Sequence, residues 1–104
     1  MIARKTWLLL LLLTLLPPVA HARVVINEIF YHAPDDIDDL EYIELHNSGD
    51  QAVDLGGWAF TRGMKFKFPP GTRIEAKRFL VLCRNRERFR EYYNAPVAGV
   101  FDQP

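Results

Sequence analysis

The sequence predicts an all-β domain of half-buried strands with one short helix near residues 85–93. Two runs, residues 24–31 and 41–47, place apolar side chains at alternate positions and fill the gaps with acidic or amide residues. That period of two belongs to strands with one face in a core. Turn-forming clusters then punctuate the chain at Asn47-Ser48-Gly49-Asp50, Gly56-Gly57, Arg62-Gly63 and Pro69-Pro70-Gly71, residue types that supply the backbone angles and local hydrogen bonds of turns. Helical spacing of aromatics appears only after Asn85.

The first strand, residues 24–31, sets Val25, Asn27, Ile29 and Tyr31 on one face and Val24, Ile26, Glu28 and Phe30 on the other. Ile26 and Ile29 then point opposite ways, which a bulge or burial of both faces would reconcile. His32-Ala33-Pro34 breaks the run, and Asp35, Asp36, Asp38 and Asp39 form an acidic loop. In residues 41–47 the face with Ile43 and Leu45, shared by Glu41 and Asn47, is the expected core side, and Tyr42, Glu44 and His46 take the other. The turn after Asn47 is expected to join hairpin neighbours and lead to a short strand about residues 52–55. Gly56-Gly57 bends the chain, and residues 58–60 resume extended structure. Residues 64–68 turn Met64, Phe66 and Phe68 inward and Lys65 and Lys67 outward, the pattern of a strand with one wet face. Residues 72–75 make a brief strand, and residues 78–83 the most apolar one. Asn85 caps a helix over residues 86–93, with Phe89, Tyr92 and Tyr93 at helical spacing. Arginines in its first turn oppose the helix dipole, so docking of the aromatic face must hold it. Pro96 ends it, and residues 97–101 start another strand.

Ahead of this domain, Arg4 and Lys5 precede a leucine-rich stretch ending at Leu16, followed by Pro17-Pro18 and Ala20-His21-Ala22. The arrangement predicts a secretory signal peptide over residues 1–22, cut after Ala22. The apolar run is shorter than the roughly 20 residues that span a bilayer; an uncleaved anchor is the alternative. The expected address is secreted, periplasmic or cell surface. Residues 23–104 suffice for one small domain with a modest core. Cys83 is the only cysteine, so no disulfide within the chain can brace it, and its apolar setting predicts a buried strand residue rather than a reactive thiol.

The net charge is +0, but it divides. Residues 24–60 hold nine acids and no Lys or Arg, while those from Thr61 onward hold ten basic residues and four acids. Arg84, Arg86, Arg88 and Arg90, beside Phe89, Tyr92 and Tyr93, have the composition of a polyanion contact, for nucleic acid or an anionic polymer; a solvated helix face is the simpler reading. Asp35, Asp36, Asp38, Asp39 and Glu41 could offer oxygens to Ca²⁺, but the spacing lacks the glycine and distal glutamate of an EF-hand loop, and a solvated loop is expected. Glu28, Glu41 and Glu44 read as the polar half of strand patterns rather than an acid and base pair. His32, His46 and Cys83 have neither zinc spacing nor a nucleophile pattern. Asn27 and Asn47 are expected to bond loop backbone, and Trp58 to pack in the core with its N–H satisfied. No catalytic, metal or cofactor residue is expected, and no cofactor.

Ile26-Asn27-Glu28-Ile29, Glu41-Tyr42-Ile43-Glu44-Leu45 with Asn47, Val53-Asp54-Leu55-Gly56-Gly57-Trp58, and Phe68-Pro69-Pro70-Gly71-Thr72 leading to Phe79-Leu80-Val81-Leu82 together resemble a lamin-tail domain of the bacterial exported type, from residue 24 to about residue 103. The resemblance implies an immunoglobulin-like β-sandwich. Glu75-Ala76-Lys77-Arg78 stands where such domains often carry a Pro-Gly turn. The family pattern continues with another turn and two or more strands, so the resemblance implies a sandwich truncated at its carboxyl end, the first part of a longer exported protein. It implies a non-enzymatic exported binding, adhesion or spacer module; the partner expected is a protein or, from the arginine stretch, an anionic polymer. The alternative is the amino-terminal piece of an exported enzyme, a spore-coat-type kinase or a nuclease, whose catalytic region lies elsewhere.

Overall fold

The computed structural model describes residues 23–31 and 37–102. The expected signal peptide, residues 1–22, and His32, Asp35 and Asp36 lie outside the described residues. The strands are β1 (Val24–Phe30), β2 (Tyr42–Asn47), β3 (Val53–Asp54), β4 (Ala59–Phe60), β5 (Phe66–Lys67), β6 (Arg73–Ile74), β7 (Phe79–Cys83) and β8 (Val97–Val100). A helix, α1 (Arg86–Tyr92), joins β7 to β8, and a 3-10 turn, Asp38–Leu40, precedes β2.

The main sheet runs β1-β2-β7-β8, antiparallel except for the parallel pair β7 and β8. Parallel neighbours need a crossover, and α1 supplies it. The second layer pairs β3 with β6 and β4 with β5. Backbone bonds from Leu55 N–H to Thr72 O (2.8 Å), Gly57 N–H to Phe68 O (2.9 Å) and Phe68 N–H to Trp58 O (2.8 Å) join those ladders into one bent ribbon. Gly57, at φ +82, supplies a left-handed backbone at the bend, which other residues adopt only with strain. Sheet and ribbon form the immunoglobulin-like β-sandwich that the resemblance implies.

Leu45, Leu55, Phe68, Ile74, Leu82 and Phe101 fill the space between the layers, each large side chain contributing about 1.5–3 kcal/mol by its removal from water. On the sheet's outer face α1 covers Val81 and Cys83 with Phe89. Burial on both faces explains why β7 is apolar without alternation. Asn85 caps α1 as expected, its Oδ1 accepting the Arg88 N–H at 3.1 Å. Phe89 and Tyr93 meet the Tyr42 ring at 5.5 and 5.3 Å between centroids. Tyr92 does not join them: it is exposed, with the Arg88 guanidinium 5.3 Å from its ring.

Several expectations are corrected. The turn after Asn47 does not join hairpin neighbours, because β3 crosses to the ribbon and pairs with β6. The buried Asn47 amide donates to Gln51 O (2.7 Å) and Ile74 O (3.1 Å) and accepts the Gly49 N–H (3.0 Å), bending the chain out of the sheet. Glu41, expected on the core face of its strand but also counted with the solvated acidic loop, is buried, and Arg84 pairs with it. Asn27 bonds the Glu44 side chain, not loop backbone. Trp58 is 49% exposed: Leu55 and Phe68 fill the interior at this corner, and Trp58 lies beside Val24 and Ile26 instead.

Candidate functional site

Among the described residues β1 is the edge of the main sheet, with β2 on one side only. Its register slips between Ile26 and Glu28, so Asn27 is the extra residue of a bulge, one of the two devices that reconcile Ile26 with Ile29. Ile26 lies opposite Leu45 and Ile29 opposite Ile43, which puts both isoleucines on the inner face. Val25, Glu28 and Phe30, opposite His46, Glu44 and Tyr42, take the outer face.

Among the described residues the ribbon covers the inner face over β2 and β7 but leaves much of β1 open. Ile26 is 51% exposed and Ile29 56%. Between this edge and the ribbon runs an apolar cleft of about 190 Å³, lined by Ile26, Ile29, Ile43, Phe60 and Met64, with Arg62 as its one charged wall residue among those described. A second hollow of about 170 Å³ shares Ile26 and Phe60 with it and reaches Trp58. Contiguous apolar surface of this kind is a candidate for a docking site. The conflict between Ile26 and Ile29 in the sequence was the signal for it, whereas the part played by Trp58 carried none.

On the outer face Glu28 and Glu44 are direct cross-strand partners. Like charges so placed repel, and two donors offset this: the Tyr42 hydroxyl donates to Glu28 Oε1 at 2.6 Å and Asn27 Nδ2 to Glu44 Oε1 at 2.8 Å. Burial first, and then the bond to Glu28, raise the Tyr42 phenol well above its ordinary range. A phenol kept neutral remains a donor, which suits its place beside a carboxylate.

The four arginines divide. Arg84 Nη1 donates to Glu41 Oε1 at 2.7 Å, and Arg88 Nη1 to Glu91 Oε2 at 2.6 Å; these bonds raise both guanidinium groups above their ordinary values. Arg86 and Arg90 are exposed, one helical turn apart on α1, and make no ion pair among the described residues. Both act on Cys83, whose thiol burial pushes up against their lowering fields. Cys83 is fully buried, as the sequence predicts. His46 stacks on Phe79 at 4.2 Å between centroids. Among the described residues no three of His, Cys, Asp and Glu come together as metal ligands, and no helix is long and apolar enough to cross a membrane.

The family model described as Lamin Tail Domain matches residues 17–103 of the chain. No curated protein and no solved structure matches it.

Proposed function

The chain belongs to the lamin tail domain family, and from that premise we propose that it is an exported, non-enzymatic binding module that receives its partner at the β1 edge and the cleft beside it. The observation that carries this reading is the pair of half-exposed isoleucines, Ile26 and Ile29, on the inner face of an edge strand. Unpaired backbone groups beside open apolar surface favour an added strand, the main chain supplying affinity and the cleft taking alternate side chains. The carboxylates of Glu28 and Glu44 lie outside the cleft, and each accepts one side-chain bond, from Tyr42 or Asn27, which supports a role in binding rather than chemistry. The module then works by surface, as a sandwich that presents an edge.

Calorimetric titration with an end-blocked peptide alternating Val and Ser tests the proposal. Saturable binding is expected, weakened about tenfold or more by Ile26→Asp or Ile29→Asp as for a buried anchor at an interface, with the melting temperature of each variant close to the parent's. Equal binding by both variants, or no binding by the parent chain, overturns it.

A further inference from the structure

We infer that the partner strand is one that alternates apolar with basic residues, the basic ones falling on the outer face of the sheet beside Glu28. This rests on the reading of β1 as a binding edge and adds its chemical selectivity. A strand laid along β1 continues the pleat, so its side chains alternate between the two faces. Those on the inner face meet Ile26 and Ile29 and enter the cleft. Arg62 on the cleft wall disfavours a second cation there, so the inner positions are apolar.

The outer positions meet a different surface. Glu28 stands directly opposite Glu44, and neither carboxylate has a Lys or Arg partner among the described residues. Each accepts a side-chain hydrogen bond, from Tyr42 or Asn27, which leaves acceptor sites open, since an ionised carboxylate offers about four. Counter-charge is sparse nearby in sequence: Arg23 lies five positions before Glu28, and residues 24–60 contain no Lys or Arg. A cation on the incoming strand occupies the cross-strand position next to Glu28, where opposite charges attract, and it relieves the repulsion between the two acids. A second copy paired about Glu28 does not fit the same place: within Val24–Phe30 it brings its own Glu28 and no cation, so that register adds acid to acid.

The test compares three end-blocked peptides on the full chain by calorimetry, alternating Val with Lys, Val with Glu and Val with Ser, together with a scrambled Val and Lys sequence. The Val-Lys strand is expected to bind about tenfold tighter than Val-Ser at low salt and tighter still than Val-Glu, with the gap narrowing as salt screens exposed charge. Scrambling should weaken it. Glu28→Gln, which keeps an oxygen for the Tyr42 hydroxyl, should bring Val-Lys to the level of Val-Ser and leave Val-Ser unchanged. Equal affinity for Val-Lys and Val-Glu, or a preference that survives Glu28→Gln, overturns the basic partner while leaving edge binding intact. Binding of none of the peptides overturns both. A dimer in sedimentation without peptide, abolished by Ile26→Asp, also overturns it, because a second copy would then hold the edge.

Discussion

Arg84 holds the buried Glu41 through two separate bonds: its Nη1 donates to Glu41 Oε1 at 2.7 Å, and its backbone N–H donates to the Glu41 carbonyl at 2.9 Å. The side chain of Glu41 is 5% exposed and that of Arg84 42%, so a carboxylate is kept under the end of the sheet by a cation reaching in from solvent. The pair clamps the entry to β2 against the exit from β7.

Removing that cation leaves the carboxylate buried without it. Arg84→Ala should therefore destabilise the fold by about 1–3 kcal/mol, below the range for a fully buried pair because Arg84 itself is half in water. Arg88→Ala, at the exposed Arg88 and Glu91 pair, should change stability little, as surface pairs do. Urea denaturation of the two variants checks the difference; equal losses would contradict it.

Tyr42 gives the fold a limit at alkaline pH. Its phenol titrates higher folded than unfolded, through burial and then its bond to Glu28. In the window above the unfolded value of about 10, the unfolded chain has lost a proton that the folded chain keeps. Its contribution is complete below that pH and is lost as pH rises toward the folded value. The melting temperature should fall more steeply with pH above about 10 in the parent chain than in Tyr42→Phe. Parallel curves would remove Tyr42 from the account.

Gly99 in β8 is needed for a close approach. A Cβ there would collide with the Phe66 ring and crowd Leu82. Gly99→Ala should cost about 1–3 kcal/mol, as overpacking does, whereas an alanine at the exposed Val25 should shift stability by less than about 0.5 kcal/mol. Thermal denaturation distinguishes them.

Cys83, fully buried and with its thiol raised by burial, should resist alkylation at neutral pH and react as one thiol per chain once denatured. The thiolate is the reacting form, and here it is both scarce and inaccessible. Fast labelling of the native chain would contradict the packing of α1 against β7.

The strands were legible because their side chains alternate: Ile43 with Leu45, and Phe66 with Phe68, face the core in sequence and structure alike. The helix was legible from Asn85 and the aromatics after it. What alternation could not convey was partnership between distant segments. Nothing local in Val53 and Asp54 says that they pair with Ile74 and Arg73 rather than with β2, and nothing in Val97 to Val100 announces a parallel neighbour. Glu41 falls on the core face by alternation, but nothing local names its cation, which lies 43 positions along the chain. The cleft was half visible. Ile26 and Ile29 disagreed with a regular strand, and the bulge at Asn27 resolves them onto one face, but their exposure depends on how far the ribbon reaches across the sheet.

Amide hydrogen exchange, resolved by residue with and without the alternating Val-Ser peptide, tests the central claim most directly. Edge binding predicts that amides of β1 facing away from β2 become strongly protected on addition of peptide, while those of α1 keep their rates. Protection at α1 or along β8, with β1 exchanging as before, would contradict it.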